Sequence, residues 1–93
     1  MGGILPARVR LSSEVLIQPL EGEAIMLEID GGQYYSMDEI AYRAWQLFDQ
    51  EGATEPVVAR MVQEYAVDEA TVCRDLAVLL DQWVAAGLIT VEA

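Results

Sequence analysis

The ten residues DGGQYYSMDE, positions 30 to 39, lie between a strand-like segment and a helix-like segment and contain two adjacent tyrosines. If this stretch is extended, consecutive side chains point to opposite faces of a sheet, so only one of Tyr34 and Tyr35 can enter the core. The length of the preceding glycine turn decides which one, because a change of one residue in the loop exchanges the two faces.

Two lengths of this turn are compatible with the sequence, and they bury different residues. A two-residue glycine loop would bury Tyr34 and Ser36 and leave the apolar groups of Tyr35 and Met37 in water. A longer loop reverses this arrangement, and it leaves Tyr34 on the open face near Glu28. We therefore expect Tyr35 and Met37 inside and Tyr34 outside.

The longer loop has a specific geometry. It is a type I turn over Asp30 and Gly31, followed by Gly32 in the left-handed conformation as a bulge. This turn predicts the strand pairs Ile29 with Gln33 and Leu27 with Tyr35.

Two further strands are predicted before this turn. The segment EVLIQPL, positions 14–20, is rich in branched apolar residues and ends at a proline and turn residues. The segment EAIMLEI, positions 23–29, alternates as a half-buried strand does. One of its faces carries Ile25, Leu27 and Ile29, and the other carries Ala24, Met26 and Glu28.

The first predicted helix follows the tyrosines. Ser36 with Glu39 three residues later forms a capping-box pattern, Asp38 adds a favourable charge, and Gly52 ends the helix. Trp45 is expected to be a core anchor. The apolar positions recur at spacings of three and four: Ile40, Ala41, Ala44, Trp45, Leu47 and Phe48.

Two more helices complete the predicted fold. Thr54 is expected to cap the second helix, which carries Pro56 in its first turn and an apolar stripe of Val57, Val58, Met61, Val62 and Tyr65. The third covers residues 68–86 and ends at Gly87, after which LITV predicts a short extended segment. The sequence thus predicts an α+β fold with a β-rich first part and a helical remainder.

The third helix has an unusually wide apolar face. At 100° per residue its apolar positions cover about 160°. Either another molecule packs against this helix or the helix is buried on two sides within its own fold. The positions are Val72, Cys73, Leu76, Leu79, Leu80, Trp83 and Val84.

Composition excludes several classes of function. Ninety-three residues, 54 % of them hydrophobic, predict one globular domain with a core over residues 10–91 and a flexible segment over 1–9. No apolar run approaches the roughly 20 residues of a membrane span, and no targeting leader is recognised, so we expect a cytoplasmic protein without a membrane partner.

The charge and the residue types argue against nucleic acid and against catalysis. Sixteen acidic residues, five basic residues and a net charge of −11 predict repulsion of phosphates, which disfavours a winged-helix DNA-binding role. A basic or mixed-charge partner fits better. With no histidine and a single cysteine, Cys73, the chain lacks an activated nucleophile and a zinc site. We expect no enzyme activity, no cofactor and no metal.

The stretch EAIMLEIDGGQYYSMDEIAYRAWQLF, followed by two helices and the ending AAGLI, resembles the PqqD-like family. Members of this family are leader-recognition domains for ribosomally made, post-translationally modified peptides. The resemblance spans roughly residues 10 to 91 and is most specific at the G-x-Y-Y-x-M-D-E junction. It implies a winged-helix-like fold, a three-stranded antiparallel sheet followed by three helices.

The resemblance also implies a function without chemistry. Family members bind the leader of a precursor peptide as an added strand at the edge of the third strand, in a groove walled by the third helix. Carried onto this chain, the implied peptide-binding residues are Leu27, Gln33, Tyr34, Tyr35, Ser36, Met37, Val72, Asp75, Leu76, Leu79 and Trp83.

A short chain of this kind is most similar to the separate leader-binding protein of lasso-peptide maturation. The implied partners are then a precursor leader peptide, a leader protease and a ring-closing enzyme. The alternative within the family is the peptide chaperone of pyrroloquinoline quinone assembly or of another peptide-modification pathway.

Overall fold

Four strands come first in the chain, followed by three helices and a last strand, which pairs with the first. A computed structural model describes residues 5–92. Its elements are β1 (Arg8–Leu11), β2 (Val15–Pro19), β3 (Ala24–Glu28), β4 (Gln33–Met37), α1 (Glu39–Glu51), α2 (Thr54–Tyr65), α3 (Glu69–Ala85) and β5 (Ile89–Glu92).

The predicted three-stranded sheet is confirmed. Strands β2, β3 and β4 are antiparallel and lie in that order, and the three helices follow them in the chain. Tyr34 is 71 % exposed, Tyr35 is half-buried and Met37 is 2 % exposed, so the predicted faces of β4 are right.

The predicted strand pairing is wrong by one residue. Gln33 pairs with Glu28 instead of Ile29, and Leu27 pairs with Tyr34 instead of Tyr35. The loop holds four residues, because the chain leaves β3 one residue early and the Gly32 N–H closes the turn on the Glu28 carbonyl at 2.8 Å. Gly32 has the predicted left-handed conformation, with φ of 68°.

This shift exchanges the two faces of β3. The buried residues are Ala24 and Met26, whereas Leu27 lies on the outer face opposite Tyr34. Glu28 is on the inner side, so Tyr34 lies near Leu27 and not near Glu28. The smaller alanine and the flexible methionine fit beneath the helices, and the branched residues of the alternating pattern face outward.

Two predicted helix caps are also corrected. Asp38, not Ser36, caps α1: its Oδ1 accepts a hydrogen bond from the Ala41 N–H at 2.8 Å. Thr54 is the first residue of α2 and Ala53 is the cap, while the Thr54 hydroxyl is buried without a partner in the described part of the chain. The predicted stop of α1 at Gly52 is confirmed, with φ of 72°.

A second sheet, which the sequence analysis did not predict, joins the ends of the chain. Strand β1 pairs antiparallel with β5, the predicted extended segment after α3. The Thr54 N–H donates to the Ala7 carbonyl at 2.9 Å, and the Val9 N–H donates to the Gly52 carbonyl at 2.8 Å. Residues 1–4 of the predicted flexible segment lie outside the described residues, and Val9 is buried in β1.

The core lies between the inner face of the three-stranded sheet and the helices. Trp45 of α1, predicted as a core anchor, meets Trp83 of α3 edge-to-face with ring centroids 5.1 Å apart. Such aromatic pairs contribute about 0.5–1.5 kcal/mol beyond their buried area. The fully buried Met26, Leu47, Phe48 and Leu76 fill the space around them.

Helices α1 and α2 are joined at the surface by a two-point ion pair. The guanidinium of Arg43 donates to both carboxylate oxygens of Glu64, each at 2.7 Å. Arg60 lies 3.5 Å from the same carboxylate. The hydrogen bond from Arg43 lowers the pKa of Glu64, which therefore stays ionised at neutral pH.

Candidate functional site

The free edge of β4 follows from the hydrogen-bond pattern of the sheet. On β3 the Ile29 N–H donates to Glu14 at 2.9 Å and the Glu23 carbonyl accepts from Leu20 at 2.8 Å, so the odd-numbered residues of β3 bond to the β2 side. Antiparallel strands alternate bonding directions, so the even-numbered residues of β3 bond to β4. Their β4 partners are the odd-numbered residues. The backbone N–H and C=O groups of Tyr34 and Ser36 therefore point away from the sheet.

The opposite edge of the sheet is different. By the same alternation, the free edge of β2 presents residues 15, 17 and 19. Residue 19 is proline, which has no N–H to donate and is a common means of protecting an edge strand. Strand β4 contains no proline. Of the two edges, β4 is the one that can accept another strand.

A groove runs between the β4 edge and α3. It is open to solvent and has a volume of about 340 Å³. Helix α3 contributes one face, with residues spaced at i, i+3, i+4 and i+7, as neighbours on a helix surface are. The lining residues are Ser36, Asp38, Ile40 and Ala41 on one side and Asp75, Val78, Leu79 and Gln82 on the other.

A smaller cavity of about 110 Å³ adjoins the groove. The two share Ile40, Asp75 and Leu79 in their walls. The remaining walls are mostly apolar and come from α2, α3 and the turn between these helices: Met61, Tyr65, Val67, Thr71, Val72 and Leu76. Burial raises the pKa of the Tyr65 phenol, so this wall is uncharged at neutral pH. The cavity can hold one small apolar side chain.

The electrostatics of the groove are acidic. Asp38 and Asp75 lie on opposite walls, and within residues 5–92 neither carboxylate has an ion-pair partner. One oxygen of Asp38 is occupied as the helix cap, and the other is free to accept from a ligand. An incoming cationic or hydrogen-bond-donating group is therefore favoured over an anionic one.

The structure brings some of the predicted binding residues to the groove and leaves others away from it. Asp75 and Leu79 line it from α3, and Ser36 borders it at the edge of β4, with its side chain on the outer face. Gln33 accepts a hydrogen bond from the Tyr35 hydroxyl at 2.9 Å on the inner side of the sheet. Tyr34 and Leu27 lie on the outer face.

Only part of the apolar face of α3 lines the groove. Val72 and Leu76 are buried and reach only the small cavity. Trp83 is 5 % exposed, packs on Trp45 and lines neither the groove nor the cavity. Met37 is likewise a core residue. Most of the wide arc is thus buried within the fold, and Leu79 is the predicted residue at its open margin.

Several groove residues were not predicted. Val78 is 56 % exposed, and with Gln82 it continues the face of Asp75 and Leu79. The helical spacing from Asp75 could have identified both. Ile40 was assigned to the core from its periodicity, but it is exposed because it lies at the start of α1, next to the open edge of β4.

Other kinds of site have little support. Among residues 5–92 no group of three or more cysteine, aspartate and glutamate side chains is arranged to hold a metal ion. Cys73 is half-buried and in no disulfide, and the chain has no histidine to activate it. In this same range no helix has the length and apolar character needed to cross a membrane.

Comparisons with known proteins bear on the family and the fold of the chain. The family model described as coenzyme PQQ synthesis protein D matches residues 23–89. A solved structure of TbiB1 in complex with the TbiA(beta) leader peptide is 28 % identical, with a TM-score of 0.83 over 90 % of this chain and 98 % of that one.

A second solved structure supports the fold. It is lasso peptide synthetase B1 complexed with the leader peptide, 21 % identical, with a TM-score of 0.79 over 90 % of this chain and 99 % of that one. No curated protein matches the chain significantly.

Proposed function

Since the chain belongs to the family of coenzyme PQQ synthesis protein D, we propose that it binds the leader segment of a ribosomally made precursor peptide as an added strand on β4. The observation that carries this proposal is the unprotected edge of β4 beside a groove walled by α3. Backbone hydrogen bonds give such a complex its affinity, and pockets for alternate side chains give it selectivity.

Each part of the site has a defined task in this complex. The N–H and C=O groups of Tyr34 and Ser36 pair with the peptide backbone. Val78 and Leu79 contact the side chains that point into the groove, and the adjoining cavity takes a small apolar one. Asp75 meets a basic or hydroxyl group of the leader.

The bound peptide is then presented to other enzymes. The chain offers no activated nucleophile, so the leader protease and the ring-closing enzyme of a lasso-peptide pathway, working in the cytoplasm, supply the chemistry. The solved structure of TbiB1, which has this fold and is 28 % identical, is a complex with the TbiA(beta) leader peptide, and this supports a leader-binding role. Tethering raises the local concentration of the leader to about millimolar for a short flexible link.

A second candidate function is the peptide chaperone of pyrroloquinoline quinone assembly. The description of the matching family favours it. Both candidates bind a peptide on β4, and they differ in the enzyme that receives it.

The test is binding followed by processing. A synthetic leader, taken from the precursor encoded beside this gene, is titrated calorimetrically, and we expect saturable binding of one peptide per chain. The precursor is then incubated with the neighbouring protease, with and without this protein, and its mass is followed over time. We expect faster cleavage at dilute precursor and no change of mass with this protein alone.

The two halves of this test fail separately. If the leader does not bind at any concentration, the peptide-binding function is wrong. If it binds but the protease is no faster at any precursor concentration, the lasso-pathway role is wrong, while leader binding stands. If this protein alone alters the mass of the precursor, it is an enzyme.

A further inference from the structure

The outer face of the three-stranded sheet is unusually apolar. The solvent face of an antiparallel sheet normally carries polar residues. In strands β2 to β4 the outward positions hold no charged residue, although sixteen acidic and five basic residues occur in the chain. The outward side chains are Leu16, Gln18, Ile25, Leu27, Tyr34 and Ser36.

These side chains form two rows across the sheet. In the first row Leu16 faces Leu27, which faces Tyr34, so three large apolar side chains lie side by side. Cross-strand neighbours of this kind stabilise one another. In the second row Gln18 faces Ile25, which faces Ser36, so this row ends in a small polar residue.

The first row is incomplete at the β4 edge. Leu27 has a neighbour on both sides and is half-buried, whereas Tyr34 has a neighbour on one side and is 71 % exposed. A strand that adds to β4 places every second side chain on this outer face, because side chains alternate along any strand. One of these side chains lies beside Tyr34, and another, two residues away, lies beside Ser36.

We propose that the bound peptide is selected on this outer face as well as in the groove: the peptide residue beside Tyr34 is a large apolar one, and the residue beside Ser36 is unrestricted. Tyr34 is then a specificity-determining residue that acts from the side of the sheet opposite to α3. This inference rests on the proposed binding of a peptide to β4.

A second copy of the chain is the less favourable occupant of this face. Two copies would each bring a net charge of −11, and acidic residues at the ends of the outward rows, Glu14, Glu21 and Glu23, would be drawn together. A peptide strand fits better, because hydrogen bonds to the edge of β4 fix its position. Its outward side chain then lies beside Tyr34, and no contact with the rest of the outer face is needed.

The test uses a display library of random twelve-residue peptides, selected in parallel on the full chain, on Tyr34→Thr and on Leu16→Thr. Threonine favours strands, so both variants keep the sheet. Leu16 is 58 % exposed in the same row but two strands away from the peptide, which makes it a matched control. Thermal unfolding verifies that the three proteins fold alike.

We expect peptides enriched on the parent chain to show a large apolar residue at one outward position and no preference two residues away. The preference should persist on Leu16→Thr and disappear on Tyr34→Thr, while groove-facing preferences remain on all three. For one selected peptide, replacing this apolar residue with serine should weaken binding about two- to fivefold on the parent chain and not on Tyr34→Thr.

Other outcomes overturn the inference. A preference that survives on Tyr34→Thr, or enriched peptides without an outward preference, would show that the outer face does not select the peptide, while binding to β4 would stand. If no peptide is enriched on any of the three proteins, the proposed function fails and this inference fails with it.

Discussion

Leu79 and Leu80 are adjacent in α3 but have different surroundings. Leu79 is half-buried and lines both the groove and its adjoining cavity, whereas Leu80 is 3 % exposed and belongs to the core. At the scale of single residues, substitutions at these two positions should therefore have different effects on peptide affinity and on the stability of the fold.

Leu79→Ala should weaken peptide binding, because the side chain contacts the ligand. It should lower the free energy of unfolding moderately, because the same side chain is only partly packed against the core. Leu80→Ala should lower the free energy of unfolding by about 2–5 kcal/mol and leave the affinity of the folded fraction unchanged. Chemical denaturation and calorimetric titration measure the two effects. If Leu79→Ala binds the peptide as tightly as the parent chain, α3 does not form a wall of the binding site.

Asp75 and Asp81 provide a second pair, matched in charge. Both are exposed on α3, but only Asp75 lines the groove. Asp75→Asn should lower leader affinity about two- to fivefold at low salt, since it removes one acceptor charge, and the loss should shrink as salt rises. Asp81→Asn changes the net charge equally and should bind as the parent does. Equal affinity in both variants would show that Asp75 does not contact the leader.

At the scale of elements, the two edges of the sheet differ in their protection. Pro19 protects the free edge of β2, and the free edge of β4 has no such residue. A proline introduced at an outward-facing N–H of β4 should therefore block strand addition without breaking the ladder to β3.

Ser36→Pro places a proline at such a position. Its N–H points away from β3, so we expect a small change in melting temperature and a large loss of peptide affinity. Ser36→Ala keeps the N–H and should bind nearly as tightly as the parent. If the proline variant binds the leader normally, the peptide does not add to β4 as a strand.

The stability that the ion pair between α1 and α2 provides should depend on pH. The pKa of Glu64 is lowered by Arg43 in the folded protein, so its contribution to stability is present above the unfolded pKa and is lost as pH falls through the folded pKa. Glu64→Gln should be less stable than the parent at pH 7 by at most about 1 kcal/mol, because the pair is partly exposed.

This difference should shrink as the pH falls through the lowered pKa of Glu64 in the folded protein, and it should vanish once the carboxylate is protonated in both states. Denaturant unfolding at several pH values measures it, with Glu21→Gln, an exposed turn residue, as the control. A difference that is constant with pH would mean that the lost interaction is not ionic.

At the scale of the whole molecule, local patterns predicted the elements better than their partners. The periodicity of α1 and α3, and the glycines that end them, were readable from the sequence. The pairing of β3 with β4 was not, because it depended on whether Ile29 belongs to the strand or to the turn. The predicted and the observed pairing both bury Tyr35 and Met37, and they differ in the face of β3 that is buried. The hydrophobic pattern favoured the face of Ile25 and Leu27, which the structure places outside.

Long-range pairing was the other limit. Strand β1 is four residues long, and its partner β5 is far from it in the sequence. No local sequence pattern therefore indicates that the two strands pair. The groove was expected from the resemblance to the PqqD-like family, which implied a site between the third strand of the sheet and the third helix. Its individual residues depended on the angle at which α3 passes β4, which places Val78 at the surface and Trp83 in the core.

Hydrogen exchange at the β4 amides tests the central claim most directly. In the free protein the amides of Tyr34 and Ser36 should exchange rapidly, because they face solvent, while those of Gln33, Tyr35 and Met37 are protected by β3. A saturating amount of the cognate leader should protect Tyr34 and Ser36 strongly. If both amides still exchange at the rate of the free protein, the peptide is not a strand added to β4, and the account is contradicted.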